Sequence, residues 1–586
     1  MNNQNIEEKI RKAAEKIPVP DSLSPEEIEK KLACRKQKPS RHSLIKRRVL
    51  VAAAGFVLFL VAGLGVLPKM INIFQQQPDS MNELVITGEY VASKDSSQNS
   101  AKSKPEDYEE LCNHINELGE INVNEDATLS TGKETEDTYS EQNNSFSETD
   151  LQVKGIMEAD VVKTDGSYIY ALSNTTEKDS HYLRVRIFAV KGKDVKKIST
   201  IKVKNSSCSE MYLEGKTLIL LCSDTVVTDD NEVSENSTED DYVSCYAYPL
   251  HQTTNIRLYD VSTPEKPRQI RHMSQSGHYN TSRVRNGYLY TFSNYYIYDS
   301  QLTTKDLEEF VPQASDSFIP ANKIKISSEE SAEYMVMTSL KISNPQEFTD
   351  SAALLGGGTT QYMNENHIYS VENYYEKSND RCRITKYTYE NGQFTYNGMA
   401  KVRGSIYDSY YMHEYNDNFV FVYTNYNEKK DTTTNGLCVL NDKMELIGKI
   451  ENLGVEEEIY ASYFIDNMAY FVTFRNTDPV FAVDISNPKK PTLRSELKLP
   501  GFSSYLHSFG ENRLIGIGNG SPYGNDTDYV KFSLFSVDKN KKLKETDTVF
   551  PRQKYTTEHY ADTNHKCVFV DEERSLVGLI ISRNYI

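Results

Sequence analysis

The chain contains no tryptophan, and none of its eight cysteines belongs to a Cys-x-x-Cys pair. The second absence leaves zinc ribbons and thioredoxin-type redox sites unsupported, because both need two thiols at that spacing. The fingerprints of P-loop proteins, Rossmann folds, GxSxG hydrolases and HExxH metalloproteases are also missing. We therefore assign no catalytic residue, no cofactor and no metal from the sequence.

Polar residues are absent from one long stretch near the start of the chain. Residues 49–67, which begin with Val49 and end with Leu67, read VLVAAAGFVLFLVAGLGVL. A helix of that length spans about 28 Å, close to the hydrocarbon thickness of a bilayer. A buried core helix would carry a polar face, and a cleaved signal peptide usually has a shorter apolar core. The stretch therefore predicts an uncleaved, single-pass signal anchor.

Charge predicts which side of the membrane each part occupies. Seven Lys and Arg residues lie between positions 35 and 48, whereas only Lys69 lies close to the other end of the apolar stretch. Positive flanks stay inside the cell, so residues 1–48 are expected to form a cytoplasmic basic tail with short helices. The remainder is expected to be extracellular. It carries a net charge of −24 against +6 for the tail, which disfavours nucleic acid as a partner.

Residues 68–150 are rich in Ser, Asn, Asp, Glu, Gln and Thr and poor in apolar side chains. Such a composition cannot bury enough surface to offset chain entropy, so we expect a mostly disordered extracellular stalk. One island has helical spacing of its apolar residues, PEDYEELCNHINEL near residues 105–118. The stalk is thus predicted to hold one short helix.

From residue 151 onward, short β-rich runs alternate with turn residues. A strand–turn–strand pattern with Asp, Glu or Asn in the turn recurs near residues 165, 215, 287, 365, 417, 467, 511 and 572. Five of the seven intervals are about 44 to 61 residues, a spacing typical of β-propellers, in which one hairpin opens each four-stranded blade. We predict an all-β propeller of seven or eight blades over residues 151–586, with an incomplete last blade.

A second repeat supports the same fold. LYDVSTPEKPRQI at 258–270 and AVDISNPKKPTLRSEL at 482–497 share the pattern Asp-x-Ser-x-Pro-x-Lys-Pro. The pattern predicts that a strand ends at Asp260 or Asp484, whose side chain caps the turn. Pro267 and Pro491 would then open an outer strand, where a missing backbone donor is tolerated.

The segment LQVKGIMEADVVKTDGSYIYALS at 151–173 resembles the opening of the bacterial secreted C-terminal β-propeller domain proteins, a largely uncharacterised family. HKCVF at 565–569 is similar to a late hairpin of that family. The resemblance covers roughly residues 105–586 and implies a fold and a surface location, but no established activity. The chain departs from the pattern after the eighth hairpin, where two more strands are expected. Residues 151–156 are a candidate for a closing strand.

Three acidic residues stand where this resemblance begins, Glu158, Asp160 and Asp165. In a propeller they would lie close to the central channel, so one interpretation is a polar binding site at the channel mouth. The alternative is that they cap loop N–H groups between the first and last blades.

Other clusters of residues are weaker candidates for a metal site, a calcium loop or a disulfide bridge. His559, Asp562 and His565 offer metal ligands, but a polar loop between blades explains them as well. Acidic runs at 228–232, 239–241 and 520–528 match calcium loops only loosely. Cys208, Cys222 and Cys245 are near enough in sequence for a bridge, although isolated buried thiols are the simpler interpretation.

These observations favour a membrane-anchored, extracellular, non-catalytic binding or scaffold module for a protein, peptide or glycan. Propellers present loops around a rigid framework, and binding residues concentrate on such loops. One alternative is a hydrolase or lyase with acids and histidines converging in the channel. Another is an envelope signalling protein that relays an outside event to its cytoplasmic tail.

Overall fold

The structure is a computed structural model, and its described residues cover much of the chain: 83–86, 105–118, 151–177, 180–224, 253–298, 301–328, 331–358, 360–474, 478–522, 524–551, 557–561, 564–572 and 574–583. All of them fall within the second of two compact units, Ala52–Ile586. The predicted anchor at 49–67 and the tail at 1–48 lie outside these residues. Within them, no helix is both long enough and apolar enough to span a bilayer.

Two elements precede the predicted domain. Strand β1 covers Glu83–Ile86, and helix α1 covers Glu109–Glu117 directly after a 3₁₀ turn at Pro105–Tyr108. The prediction of a helix near 105–118 is therefore confirmed. Its spacing places Leu111, Cys112 and Ile115 on one buried face.

The described part of the chain then forms seven successive antiparallel units of four strands, which we number sheet 1 to sheet 7. Short extra strands extend sheets 1 to 3, and the pairing of Asn379 with Asn427 joins sheets 4 and 5 into one eight-stranded sheet. Sheet 1 holds β2 (Val162–Thr164), β3 (Tyr168–Glu177), β4 (Ser180–Lys191) and β5 (Asp194–Lys204). Sheet 2 holds β6 (Ser206–Glu214), β7 (Thr217–Asp224), β8 (Thr253–Asp260) and β9 (Arg268–Ser276). Sheet 3 begins with β10 (His278–Arg285) and β11 (Tyr288–Tyr296).

An insertion separates the two halves of sheet 3. It contains helix α2 (Leu307–Phe310), β12 (Gln313–Ala314), β13 (Ser317–Phe318), a 3₁₀ turn (Ala321–Lys323) and β14 (Ile324–Ile326). Sheet 3 is completed by β15 (Glu333–Lys341) and β16 (Asp350–Leu355).

The remaining sheets follow without such an insertion. Sheet 4 holds β17 (Thr360–Met363), β18 (His367–Glu376), β19 (Asn379–Glu390) and β20 (Gln393–Arg403); sheet 5 holds β21 (Met412–Tyr415), β22 (Asn418–Asn427), β23 (Thr432–Leu440) and β24 (Leu446–Leu453). Sheet 6 holds β25 (Glu458–Ile465), β26 (Met468–Phe474), β27 (Asp478–Asp484) and β28 (Thr492–Leu499); sheet 7 holds β29 (Phe502–Ser508), β30 (Arg513–Ser521), β31 (Gly524–Val537) and β32 (Leu543–Val549). Two further pairs end the chain: β34 (Val568–Asp571) with β35 (Leu576–Leu579), and β33 (Thr557–His559) with β36 (Ile581–Arg583).

All eight predicted hairpins are confirmed, from β2–β3 through β34–β35. The turn chemistry explains why the pattern was visible. Positive φ angles occur at Gly166, Gly215, Asn416, Asp417 and Asp466, where only Gly, Asn and Asp are well tolerated. The backbone at 151–156, by contrast, forms bends and a turn rather than the closing strand considered from the sequence.

The Asp-x-Ser-x-Pro-x-Lys-Pro repeats also behave as predicted. β8 ends at Asp260 and β27 ends at Asp484, and each carboxylate accepts a hydrogen bond from the backbone N–H two residues later at 2.9 Å. The second proline of each repeat stands directly before the next strand.

Apolar side chains fill the spaces between neighbouring sheets. One buried cluster joins sheets 1 and 2, another joins sheets 2 and 3, and further clusters continue through sheets 6 and 7. Tyrosines are prominent among the largest fully buried side chains, including Tyr259, Tyr334 and Tyr463. Burying such rings contributes about 2 kcal/mol each. Cys208 and Cys222 face each other across β6 and β7 as buried free thiols, while Cys245 lies outside the described residues.

Two elements of the expected stalk, β1 and α1, are packed against the folded domain, which the sequence did not predict. β1 pairs in parallel with the edge strand β5 of sheet 1. Helix α1 packs its apolar face against the insertion of sheet 3, and Asn116 exchanges hydrogen bonds of 2.8 and 2.9 Å with the backbone of Leu302. An apolar helix face gains free energy by covering another apolar surface. The folded domain therefore includes contacts from residues that precede 151.

Candidate functional site

The segment that precedes β2 lies along the first strands of several sheets. The Gln152 side chain donates to the carbonyl of Ser409 at 3.0 Å, next to the start of β21. Met157 forms an antiparallel bridge with Val284 of β10, and Asp160 forms one with Met211 of β6. This segment, residues 151–161, thus connects sheets 2, 3 and 5 before the chain enters sheet 1.

Glu158 is held inside this arrangement with its side chain only 1% exposed. Its Oε1 accepts from the Gln152 N–H at 3.1 Å and lies 4.0 Å from Nε of Arg283. Its Oε2 lies 3.5 Å from Nε2 of His565, just before β34. The Lys163 ammonium donates to the Glu158 carbonyl at 2.7 Å. The carboxylate therefore lies between the start of the domain, sheet 3 and the last hairpin.

Asp160 is also buried, and its Oδ1 accepts from the N–H of Val161 at 2.6 Å. Burial raises the pKa of this carboxyl, while the positive charges of Lys163 and Lys566 act in the opposite direction. Glu158 and Asp160 therefore lie in one charged region; a binding site at the channel mouth stays a prediction for them.

Asp165 lies elsewhere. It occupies the turn between β2 and β3, where its Oδ1 accepts from the N–H groups of Ser167 and Tyr168 at 3.0 and 2.8 Å. Its other oxygen lies 3.7 Å from Nζ of Lys216. This is ordinary capping of a hairpin turn, so the structure does not bring Asp165 to the charged region around Glu158.

A polar network that sequence reasoning missed adjoins this region. Lys566 donates to Oε1 of Glu210 at 2.6 Å, and Tyr279 donates to Oε2 of the same carboxylate at 3.0 Å. Ser282 links the hydroxyls of Tyr279 and Tyr212 at 2.8 and 3.0 Å. No local signal marks Glu210, which is one polar residue in an ordinary strand. Of this network, only Lys566 belongs to a motif that is visible in the sequence, HKCVF at 565–569.

A concave pocket of about 480 Å³ opens beside the start of this segment. Residues 152–154 and the turns β17–β18, β21–β22 and β25–β26 line it. Its floor is formed by buried side chains, among them Tyr362, Tyr410 and Tyr463. The volume falls within the roughly 300–1,000 Å³ of small-ligand sites. Turns of three consecutive sheets, together with residues 152–154 from the start of the domain, thus build one depression.

One wall of this pocket contains the carboxylate of Glu414, which two neighbouring side chains hold in place by hydrogen bonds. Oε2 of Glu414 lies 2.8 Å from Nδ1 of His367 and accepts from the hydroxyl of Tyr369. Burial alone would raise the pKa of Glu414, but the hydrogen bonds from His367 and Tyr369 lower it below its usual value. Glu414 is therefore ionised at neutral pH.

His413 is the neighbouring wall residue, and its ring stacks on Phe464 with centroids 5.1 Å apart. Burial lowers the pKa of His413 to about 4. The imidazole is therefore neutral at physiological pH and adds no positive charge to the pocket.

Comparison with known proteins identifies the fold family. A model described as "Beta propeller domain" matches residues 146–585. The chain belongs to this β-propeller domain family. It is 26% identical over 493 residues to an uncharacterised protein of Methanocaldococcus jannaschii, covering 69% of this chain and 69% of that protein. An uncharacterised protein of Archaeoglobus fulgidus is 26% identical over 496 residues, covering 75% of this chain and 76% of that protein.

Two solved structures align with this chain at low sequence identity. Pyrococcus horikoshii acylaminoacyl peptidase aligns with a TM-score of 0.29 and 8% identity over 69% of this chain. The chain spans about half the length of that peptidase, 55%. Hsv2 of Kluyvelomyces marxianus aligns with a TM-score of 0.22 and 11% identity, covering 51% of this chain and 93% of that one. The relatives named above are archaeal and uncharacterised, so assignment to a bacterial secreted group stays a prediction.

The two histidines of the candidate metal cluster, His559 and His565, have different partners in the structure. His559 contacts Oδ1 of Asn519 through Nε2 at 2.7 Å, whereas His565 faces Glu158. Asp562 and the runs 228–232 and 239–241 lie outside the described residues, as do the side chains of 523–528. Across the described ranges, no group of three His, Cys, Asp or Glu residues is arranged to hold a metal ion.

Proposed function

We propose that this protein is a non-catalytic binding module whose ligand occupies the pocket between residues 152–154 and the turns of sheets 4, 5 and 6. The observation that supports this most directly is the pocket itself, with a polar rim and an aromatic floor. Its turns project from packed sheets, which keeps them in place without a ligand.

The charged region around Glu158 is too buried to serve as a catalytic site. A hydrolase or lyase in the channel would need converging acids and histidines, and Glu158, Arg283 and His565 do converge. However, their side chains are only 1%, 5% and 2% exposed. A substrate cannot reach groups that are packed in this way. We interpret them as a structural connection between the first and last parts of the domain.

The finer architecture is part of the same proposal. Seven four-stranded sheets and a terminal hairpin fit a ring of seven or eight blades, and the approach of His565 to Glu158 fits contact between its ends. We further propose that residues 49–67 anchor the chain with its N-terminus in the cytoplasm and the propeller outside. The experiment for topology is protease treatment of intact cells, which should degrade the propeller; protection until lysis would contradict it.

The binding function is tested with the full-length protein, because β1 and α1 are packed on the domain. Wild-type protein and two variants are screened on peptide and glycan arrays. Asn366→Tyr places a bulky ring on the exposed rim of the pocket, whereas Asn540→Tyr makes the same change in an exposed turn of sheet 7. Ligands retained by wild type and Asn540→Tyr should be lost by Asn366→Tyr. Equal retention by all three proteins would refute the pocket as the binding site.

A further inference from the structure

The rim and walls of the pocket carry a marked excess of carboxylates. Glu365, Asp417 and Asp466 stand on the three turns, and Glu414 lies in the wall. Lys154 is the one lysine or arginine among the lining residues. The carboxylate of Glu365 also lies 3.9 Å from Nη2 of Arg285, which offsets part of its charge.

Neighbouring groups offset part of this charge, because Nδ1 of His367 lies 2.8 Å from Oε2 of Glu414 and Lys154 also lines the pocket. The carboxylates of Asp417 and Asp466 are the negative charges that remain on exposed turns. His413 is neutral at pH 7, as its low pKa indicates. Asp417 and Asp466 are exposed and lie on turns that line the pocket. An incoming anion would meet like charges, while a cation would be attracted.

Aromatic side chains supply a second kind of contact for a cation. Tyr415 and Phe464 are half-buried in the walls, and buried tyrosines form the floor. The face of an aromatic ring attracts an ammonium or guanidinium group, by about 0.5–1 kcal/mol at exposed sites and more when desolvated. The methylene stem of a lysine or arginine would also find apolar surface there.

We propose that the pocket selects a positively charged group, either the lysine or arginine side chain of a peptide or a free polyamine. This inference rests on the proposed binding function and specifies its ligand chemistry. The carboxylates of the rim attract the cation, and the aromatic walls contact its charge and its stem.

The test measures the affinity of the full-length protein for defined probes by calorimetric titration. The cationic probes are the blocked tripeptides Gly-Lys-Gly and Gly-Arg-Gly and the polyamine spermidine; the comparison probes are blocked Gly-Glu-Gly and maltotriose. We expect the cationic probes to bind and the comparison probes to bind at least about tenfold more weakly. Binding of either cationic source supports the inference, and the tighter probe identifies the source.

Charge-neutral variants test the residues themselves. Asp417→Asn with Asp466→Asn keeps side chains that tolerate positive φ while removing two charges from the rim. This double variant should weaken cation binding by about fivefold, since each exposed charge contributes modestly. The matched control, Glu265→Gln with Glu511→Gln, removes two exposed charges outside the pocket and should bind as wild type does.

The outcomes separate this inference from the proposed function. If Asn366→Tyr abolishes binding but the rim double variant does not change affinity, or maltotriose binds as tightly as the lysine peptide, the cation inference is wrong and the binding site stands. If Asn366→Tyr leaves binding unchanged, both are wrong.

Discussion

Asp484 offers the clearest test of how the Asp-x-Ser-x-Pro-x-Lys-Pro repeat stabilises a sheet. Its Oδ1 accepts from the Ser486 N–H at 2.9 Å, and its Oδ2 accepts from Nη2 of Arg494 at 2.8 Å. Nζ of Lys541 lies 3.4 Å from the same oxygen. Although burial opposes ionisation, these partners lower the pKa of Asp484 to about 2.

The lowered pKa of Asp484 determines how much its carboxylate stabilises the protein and over which pH range that stabilisation is lost. A fall from the ordinary 3.8 to about 2 corresponds to about 2 kcal/mol of stability at neutral pH. Because the folded-state pKa is the lower one, this contribution is complete above pH about 4 and is lost as the pH falls through about 2. Replacing Asp484 by Asn should therefore destabilise the protein at pH 7 and have a shrinking effect below pH 4.

The assay is urea unfolding of wild type and Asp484→Asn at pH 7, 4 and 2.5. Asp260→Asn is the matched control, because Asp260 has the same position in the first repeat but a more exposed carboxylate, 33% against 5%. Its partner Arg268 is also exposed, so its loss should matter much less. A destabilisation by Asp484→Asn that does not vary with pH, or an equal effect of Asp260→Asn, would refute this reasoning.

Three further predictions follow from the packing. Asn116→Ala should lower the free energy of unfolding by about 2 kcal/mol and speed proteolysis at helix α1, because two hydrogen bonds to the insertion are lost; Asn113→Ala, on the exposed face, should do neither. Cys208 and Cys222 should resist iodoacetamide until urea unfolds the protein, since burial raises the pKa of Cys208; rapid labelling detected by mass spectrometry in the native state would contradict this. Glu158→Gln should cost about 3 kcal/mol in urea unfolding, because it removes the charge that faces the buried guanidinium of Arg283, and unchanged stability would contradict the assigned connection.

Local chemistry explains which features the sequence could predict. Most hairpins were visible because their turns place Gly, Asn or Asp at positive φ, and the strands around them are rich in β-branched and aromatic residues. The repeats ending at Asp260 and Asp484 were visible because proline and a capping carboxylate are short-range signals. The same short-range chemistry accounts for Asp165, which serves its own turn.

Long-range contacts explain what the sequence could not show. Glu158 meets His565 only because residues 151–161 lie beside the last hairpin in the fold, more than 400 positions later in the chain. The pocket combines turns of three sheets, none of which carries a recognisable binding motif. Helix α1 was predicted from its periodicity, but the surface that covers its apolar face comes from an insertion around Leu302.

The central claim is that the propeller binds its ligand at one pocket formed by three turns and residues 152–154. Hydrogen–deuterium exchange of the full-length protein, with and without a saturating ligand from the arrays, measures this directly. We predict slower exchange concentrated at residues 152–154, 364–366, 415–417 and 464–466. Protection confined to the outer strands of the sheets, with no change at these positions, would contradict it.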